Sequence, residues 1–214
     1  FILIPVLVSF VVAFTDFNIF QGFANSKFVG LDNFIKMFSD EWFWAALKNN
    51  LIYTVVTIPI ILGFSIVLAT ILNDKVYCRT AIRVMIFIPY IASVVAISVI
   101  WMLILNPSQG ILNNFLRNLG IANPPGWLGD PKWALPAVII VGIWMGLGYN
   151  TIIYMSGLQS VSKSLYEAAE IDGASSVQLF RFITVPMLRN TTFFLLITNI
   201  IGSFQVFGQI NIMT

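Results

Sequence analysis

The sequence predicts an all-α polytopic membrane protein. Of its 214 residues, 58% are hydrophobic and only 9% are charged, whereas soluble domains average about 25% charged residues. Apolar runs alternate with short polar segments, and about 20 apolar residues in a helix cross the hydrocarbon of a bilayer. The 11 Lys and Arg against 9 Asp and Glu leave a net charge of +2, so nucleic acid is not an expected partner. We therefore expect a helical bundle surrounded by membrane lipid.

The composition argues against an enzyme or a metal protein. There is no His, and Cys78 is the single cysteine, so a Cys/His metal site or a disulfide framework is not expected. No Gly-x4-Gly-Lys-Ser/Thr pattern is present, so we do not expect this chain to bind ATP in the P-loop manner. We predict no catalytic residues, no metal ligands and no cofactor on this chain. We interpret Cys78 as an ordinary interfacial residue.

Five apolar runs are the predicted spans of one transmembrane domain over residues 1–214. They cover residues 1–14, 50–72, 84–105, 134–158 and 190–210. The first run is too short for a full span. Pro89 predicts a bend in the first half of the third span. Three glycines in the fourth span are spaced for close helix packing: Gly142, Gly146 and Gly148.

Two of the connecting segments also have predicted structure. Residues 29–34 indicate a turn followed by a short helix. Residues 106–132 are rich in Pro, Gly and Asn, and Trp127 lies there with Trp133 just beyond it. Indole side chains favour the headgroup level, so we expect this segment at the membrane surface.

A polar loop, residues 159–189, separates the last two spans and holds three of the nine acids. Charge is costly in hydrocarbon, so this loop lies at a membrane boundary. Ser164 followed by Glu167 fits a capping box and predicts a helix from about Leu165. Gly173 would supply the left-handed turn that closes this helix.

A second capping box is predicted in the same loop. Ser175 with Gln178 predicts a short helix that runs to Thr184, before Pro186. The expected product is a helix, a sharp bend and a second helix. Small residues around the bend would let another protein approach the backbone closely: Ala168, Ala169, Gly173 and Ala174.

The loop resembles the EAA loop of the permease subunits of ABC importers. The family pattern EAA-x3-G-x9-I-x-L-P is matched by Glu167-Ala168-Ala169, Gly173 and Ile183-Thr184-Val185-Pro186, with Val185 in place of Leu. Sugar-type permeases are also similar at Val29–Phe34, Pro124–Gly129 and Ser203–Phe207. The resemblance implies the type I ABC importer permease bundle. Because that family has at least six spans and five are counted, a last span is expected to be missing.

The resemblance also implies a function and an assembly. The chain would form half of the translocation pathway for a carbohydrate in the inner membrane of a bacterial or archaeal cell. Its partners would be a second permease subunit in a heterodimer, two cytoplasmic ATPase subunits and an extracytoplasmic solute-binding protein. ATP and Mg²⁺ would be held by the ATPase subunits.

Residues 159–189, called the coupling loop from here on, would carry the contact with the ATPase. Glu167 is the candidate docking charge, or alternatively a helix-start carboxylate favoured by the helix dipole. Arg79, Arg83 and Arg189 lie against span ends and favour a cytoplasmic position for this loop. The resemblance implies these ATPase-coupling residues: Tyr166, Glu167, Ala168, Ala169, Asp172, Gly173 and Pro186.

Polar residues inside the last two spans are the candidate substrate pathway. Asn199, Ser203 and Val206 fall on one helical stripe. Amide, hydroxyl and aromatic groups suit a neutral polyhydroxy ligand, but they equally suit hydrogen bonds between helices. Both interpretations are open for each residue. The candidate pathway residues are Gly146, Tyr149, Asn199, Ser203 and Gln205.

Two alternatives accompany the carbohydrate hypothesis. The chain could be an ABC permease for another solute, such as a polyamine or a glycerol phosphate. It could also be a non-transporting membrane scaffold whose loop binds some other cytoplasmic protein. An importer predicts ligand-dependent stimulation of the ATPase in a reconstituted complex, and a scaffold does not.

Overall fold

The computed structural model describes residues 3–18, 20, 22, 26–73 and 77–213. The first two residues of the predicted first span and Thr214 lie outside the described residues. The described elements are helical, apart from one isolated antiparallel bridge between Thr15 and Phe28. Two compact units are distinguished, residues 1–49 and residues 50–214.

The first unit contains the apolar helix α1 (Leu3–Ala13) and the short helix α2 (Asp32–Ser39). Gly30 turns the chain with φ +59° before α2, which confirms the turn and helix predicted at residues 29–34. The amide of Asn33 donates to the carbonyl oxygens of Ala13 and Thr15, each at 3.0 Å. These bonds satisfy carbonyl groups at the C-terminal end of α1 that lack a helical partner.

Helix α3 (Glu41–Asn73) is longer than the predicted second span and contains Pro59. The predicted third span is broken into α4 (Arg79–Ile91) and α5 (Val94–Ile104), which meet at 98°. Pro89 lies inside α4, and the chain becomes extended only at Ala92 (φ −65°, ψ 152°). The predicted bend in the first half of this span is therefore present, but it lies three residues after Pro89 and not at the proline.

The segment that follows α5 is folded around a buried asparagine. Helix α6 (Ile111–Asn118) places Asn113 at 1% exposure. Its amide donates to the carbonyl oxygens of Pro107 at 2.9 Å and Pro125 at 3.0 Å. Its oxygen accepts the indole N–H of Trp127 at 2.6 Å. Trp127 thus has a hydrogen-bond partner inside the protein.

Helix α7 (Pro131–Leu158) is capped by Asp130, whose carboxylate accepts the amide N–H of Lys132 at 2.9 Å. The predicted close packing of its glycines is confirmed. A methyl group added at Gly148 would strike the backbone carbonyl of Ile86 in α4, and one at Gly146 would meet Ile61 in α3. These two positions bring α7 against α4 and α3.

The coupling loop begins with α8 (Lys163–Ile171), which starts two residues earlier than predicted. The predicted capping box of Ser164 and Glu167 is wrong, because Ser164 lies in the first turn of the helix and its hydroxyl pairs with that of Ser162 at 2.8 Å. Gly173 has φ +83°. The Ala174 N–H donates to the Ala169 carbonyl at 2.9 Å, a bond of the Schellman motif that ends many helices.

The second half of the loop is a composite helix. The capping box of Ser175 and Gln178 is confirmed at the start of α9 (Ser176–Leu179). A π-helical turn (Phe180–Thr184) and α10 (Val185–Met187) follow. The helical path therefore continues through Pro186 instead of ending at Thr184, because the wider π turn accommodates a residue that donates no N–H.

The predicted fifth span is interrupted. Helix α11 (Arg189–Ser203) ends in a turn at residues 204–206, and α12 (Phe207–Met213) follows. Among the described residues, two helices, α3 and α7, are long and apolar enough to span a membrane, and the bent pair α4–α5 makes a third candidate. Helix α1 lies in the predicted first span, and α11 and α12 lie at the predicted fifth span. Each of these helices is shorter than a full span.

The largest apolar core lies in the second unit, where α3, α7 and the start of α11 meet. It is built from large side chains of all three elements. Its fully or nearly fully buried members are Ile58, Leu62, Ile66, Ala69, Leu72, Tyr154, Met155, Leu158, Leu188 and Leu195. Because Leu188 belongs to this core, the coupling loop is anchored directly beside α7.

Candidate functional site

A cleft of about 410 Å³ opens in the second unit, within the size range of small-molecule sites. It is lined by side chains of α3, α4, α7 and α11 and by residues of α5 and of the segment after α11. Its polar and aromatic lining consists of Tyr53, Thr57, Tyr90, Tyr149, Asn150, Thr198, Asn199, Ser203 and Gln209. No lining residue among those described carries a formal charge.

Four of the five predicted pathway residues line this cleft: Gly146, Tyr149, Asn199 and Ser203. Val206 lines it as well, although it lies in the turn after α11 and not on the helix that carries Asn199 and Ser203. Gln205 does not line the cleft. It lies exposed in the turn that interrupts the span.

Two asparagines join α7 to α11 beside the cleft. The amide of Asn199 donates to the side-chain oxygen of Asn150 at 2.7 Å and to the Leu195 carbonyl at 2.7 Å. Asn150 is 1% exposed and also donates to the Gly146 carbonyl at 2.8 Å. The interhelical alternative left open by the sequence is therefore realised for Asn199.

Ser203 also makes an interhelical hydrogen bond. Its hydroxyl lies 2.8 Å from that of Thr54 in α3, and it donates to the Ile200 carbonyl at 2.8 Å. The side chain of Asn50 donates to the Ser203 carbonyl at 3.3 Å. Ser203 thus lines the cleft and fixes the end of α11 on α3 at the same time.

Tyr149 is stacked on Tyr90 of α4, with ring centroids 4.7 Å apart and an interplanar angle of 18°. One face of the Tyr149 ring is therefore covered by protein. The pair forms an aromatic wall of the cleft, and such surfaces suit the apolar faces of sugar rings. Tyr90 is half-exposed (49%) and was not among the predicted pathway residues.

Sequence reasoning missed the contribution of α3. Tyr53 and Thr57 are one helical turn apart in the predicted second span, and both line the cleft. The hydroxyl of Thr57 is buried and has no hydrogen-bond partner in the described part of the chain. The available signal was this pair of hydroxyl groups at i, i+4 spacing in an otherwise apolar run.

The coupling loop presents a mixed surface. Glu167 and Asp172 are exposed, as are the apolar side chains of Ile171 (87%) and Val177 (74%). Glu167 lies in the second turn of α8, so the alternative of a helix-start carboxylate is not supported. Exposed apolar side chains beside carboxylates are typical of a protein contact surface.

Tyr166 is one of the predicted coupling residues that are partly buried. Its hydroxyl lies 3.0 Å from the hydroxyl of Thr184 in the π turn. Ala168 is exposed and Ala169 is partly buried. Gly173 forms the bend, and Pro186 lies two residues before the buried Leu188. The predicted residues thus form one continuous element between α7 and α11.

Comparison with known proteins gives the class of this chain. Residues 42–213 match the family described as binding-protein-dependent transport system inner membrane component. The chain belongs to this family, that of the permease subunits of ABC importers, and its bundle is that of a type I importer permease.

Two relatives are named for a lactose and for a glycerol-phosphate transport system. The chain is 40% identical over 186 residues to the lactose transport system permease protein LacF of Rhizobium radiobacter. It is 37% identical over 191 residues to the sn-glycerol-3-phosphate transport system permease protein UgpA of Agrobacterium fabrum. These matches take in 86% and 89% of the chain but only 62% and 64% of those relatives.

A solved structure shares the fold. The crystal structure of a bacterial ABC transporter that imports the acidic polysaccharide alginate superposes with a TM-score of 0.76 at 27% identity. The match covers 95% of this chain and 72% of that one. A second crystal structure shows the alginate transporter in complex with a pentasaccharide-bound periplasmic protein, with a TM-score of 0.75.

Proposed function

We propose that the chain forms half of the translocation pathway of an ABC importer for a neutral carbohydrate. The observation that carries this proposal is the cleft between α3, α7 and α11, whose described lining offers hydroxyl, amide and aromatic groups and no charge. Sugar hydroxyls both donate and accept hydrogen bonds, so such groups can bind them without a countercharge. A charged solute would require a buried partner of opposite sign.

The family supports a proposal for the assembly. We propose a second, different permease subunit, two cytoplasmic ATPase subunits that hold ATP and Mg²⁺, and an extracytoplasmic solute-binding protein. The exposed carboxylates and apolar side chains of the coupling loop would contact the ATPase on the cytoplasmic side of the inner membrane. The chain itself would then be a transport subunit and not an enzyme.

Glycerol phosphate is the second candidate substrate, because a 37% identical relative is named for it. The described lining of the cleft provides no Arg or Lys for a phosphate group. If glycerol phosphate were the substrate, the cations that bind its phosphate group would come from the partner subunit. The two candidates therefore make opposite predictions about which solutes compete.

A competition assay with the full permease, reconstituted in vesicles with its partner subunits, tests the proposal. Radiolabelled lactose, maltose, trehalose or glycerol 3-phosphate would each be offered against excess unlabelled neutral sugar, glycerol 3-phosphate or alginate oligosaccharide. We expect a labelled neutral sugar to be taken up. Unlabelled neutral sugars should compete with this uptake, and the anionic solutes should not. Uptake of glycerol 3-phosphate alone would overturn the carbohydrate assignment and leave the family assignment intact.

A further inference from the structure

Helix α8 is attached to the rest of the chain by few interactions. None of its residues is buried. Among the described residues, one side-chain hydrogen bond joins α8 to another element, the 3.0 Å contact between the hydroxyl groups of Tyr166 and Thr184. Two residues of α8, Tyr166 and Ala169, are partly buried, and the others are exposed, so its packing contacts with the rest of the chain are limited. Such contacts hold a helix weakly in comparison with a packed core.

The Thr184 side of this bond is buried and held in a helical turn. Thr184 is 1% exposed and ends the π turn, in which the Val185 N–H donates to the Phe180 carbonyl. One turn further on, the Leu188 N–H donates to the Thr184 carbonyl at 3.1 Å, and Leu188 is itself 1% exposed in the main core. A displacement of Thr184 is therefore passed to the start of α11. π turns frequently occur at functional positions.

Two further hydrogen-bonded pairs continue from this point to the cleft. The hydroxyl of Tyr154 in α7 donates to that of Thr192 in α11 at 3.0 Å. One turn nearer the cleft on α7, Asn150 pairs with Asn199 at 2.7 Å. Hydrogen bonds between helices persist in an environment without competing water. Helices α7 and α11 are thereby joined by two hydrogen-bonded pairs, one of which includes the core residue Tyr154.

We propose that Tyr166 is a positioning residue that couples the movement of α8 to the cleft through its bond with Thr184. This inference rests on the proposed function, in which α8 contacts the ATPase. A push on α8 then moves Thr184, Leu188 and the fastened pair of α7 and α11 as one body. Without the bond, α8 rotates about the Gly173 turn and part of its displacement is lost.

The experiment uses the full permease assembled with its partner subunits in vesicles. Tyr166→Phe removes only the hydroxyl, and Thr184→Val removes the other partner while keeping the shape of the side chain. We expect each variant to assemble normally and to keep the half-saturating sugar concentration. The amount of lactose, maltose or trehalose carried per ATP hydrolysed should fall roughly three- to tenfold, as expected for one lost hydrogen bond.

The double variant and a matched control separate coupling from general damage. In the double variant Tyr166→Phe with Thr184→Val, the amount of sugar carried per ATP hydrolysed should fall no further than in either single variant, because both substitutions remove the same bond. Tyr77→Phe makes the same chemical change at a side chain that is 95% exposed, and it should transport like the unmodified protein. Additive losses in the double variant would overturn the proposal.

Other outcomes distinguish this inference from the proposed function. Normal sugar transport per ATP in Tyr166→Phe, with loss of transport in Glu167→Lys, would overturn the role of Tyr166 and leave the coupling loop intact. Normal transport in both variants would overturn the coupling role of α8 itself. Failure of Tyr166→Phe to assemble would show that the residue supports the fold and not the coupling.

Discussion

At the scale of single residues, Thr57 is unusual because its buried hydroxyl lacks a hydrogen-bond partner in the described part of the chain. Threonines in membrane helices commonly donate to the carbonyl four residues earlier, and Thr54 and Thr151 do so at 2.8 and 2.7 Å. Thr57 is 3% exposed and has no partner among the described residues. A buried unpaired hydroxyl costs about 1–3 kcal/mol. Its position in the cleft lining suggests that a ligand hydroxyl offsets this cost.

We expect Thr57→Val to weaken the apparent affinity for the transported sugar roughly three- to tenfold, the effect of one lost hydrogen bond. The thermal stability of the ligand-free permease should stay the same or rise, because an unpaired polar group has been removed. Uptake at graded sugar concentrations and thermal unfolding in detergent measure the two effects.

The control for Thr57→Val is Thr70→Val. Thr70 lies in the same helix and donates to the Ile66 carbonyl at 2.8 Å, and it is not in the cleft lining. Thr70→Val should leave the half-saturating concentration of the transported sugar unchanged. A loss of stability without a loss of affinity in Thr57→Val would contradict the assignment of Thr57 to the ligand.

At the scale of elements, the close approach of α7 to α4 depends on Gly148. A Cβ atom there would meet the backbone carbonyl of Ile86, and backbone cannot move aside as a flexible side chain can. We expect Gly148→Ala to lower the free energy of unfolding by about 1–3 kcal/mol, the usual cost of overpacking. Thermal unfolding of the purified permease in detergent measures this change.

Gly63→Ala is the matched control, because a Cβ atom at Gly63 would meet nothing within 4 Å. In a helix, alanine is favoured over glycine by about 0.5–1 kcal/mol. This variant should therefore unfold at the same temperature or a higher one. Equal unfolding temperatures for the two variants would show that α4 can move away from α7 at little cost.

Local bonds explain which elements the sequence predicts well. The Gly173 turn and the capping box of Ser175 and Gln178 are closed by groups no more than five residues apart, so their spacing is visible in the sequence. The box of Ser164 and Glu167 has the same spacing and does not form, because α8 begins two residues too early for Ser164 to cap it. Spacing alone does not decide where a helix starts.

Tertiary contacts explain what the sequence does not predict. Neither of the two breaks, at Ala92 and after Ser203, lies at a proline. Apolar residues are found on both sides of each break, so the sequence does not mark it. The cleft lining from α3 and α4 depends on which helices are neighbours, and a local pattern does not contain that information. Predicted pathway residues came from spans next to the EAA loop, so Tyr53, Thr57 and Tyr90 were missed.

At the scale of the whole molecule, the coupling loop should be required for assembly with the ATPase. We expect Glu167→Lys combined with Gly173→Pro to abolish transport without preventing membrane insertion. The lysine reverses the proposed docking charge, and proline cannot adopt the φ of +83° found at Gly173. Co-purification with the ATPase subunit and sugar uptake in vesicles check the result.

Glu170→Lys is the matched control for that double variant, because Glu170 is an exposed carboxylate on the same helix. It should retain co-purification and most of the uptake, since it leaves both Glu167 and the bend unchanged. If the double variant assembles and transports normally, the coupling loop does not contact the ATPase.

The start of α4 has a practical consequence for following this protein at work. Cys78, the single cysteine of the sequence, is exposed and begins α4 with φ +55°. An exposed thiol takes a maleimide fluorophore without disturbing a core. One dye can therefore be attached to this chain without first removing other cysteines. Its emission, quenched by a second dye on the ATPase, would record opening and closing in single transporters, turnover by turnover.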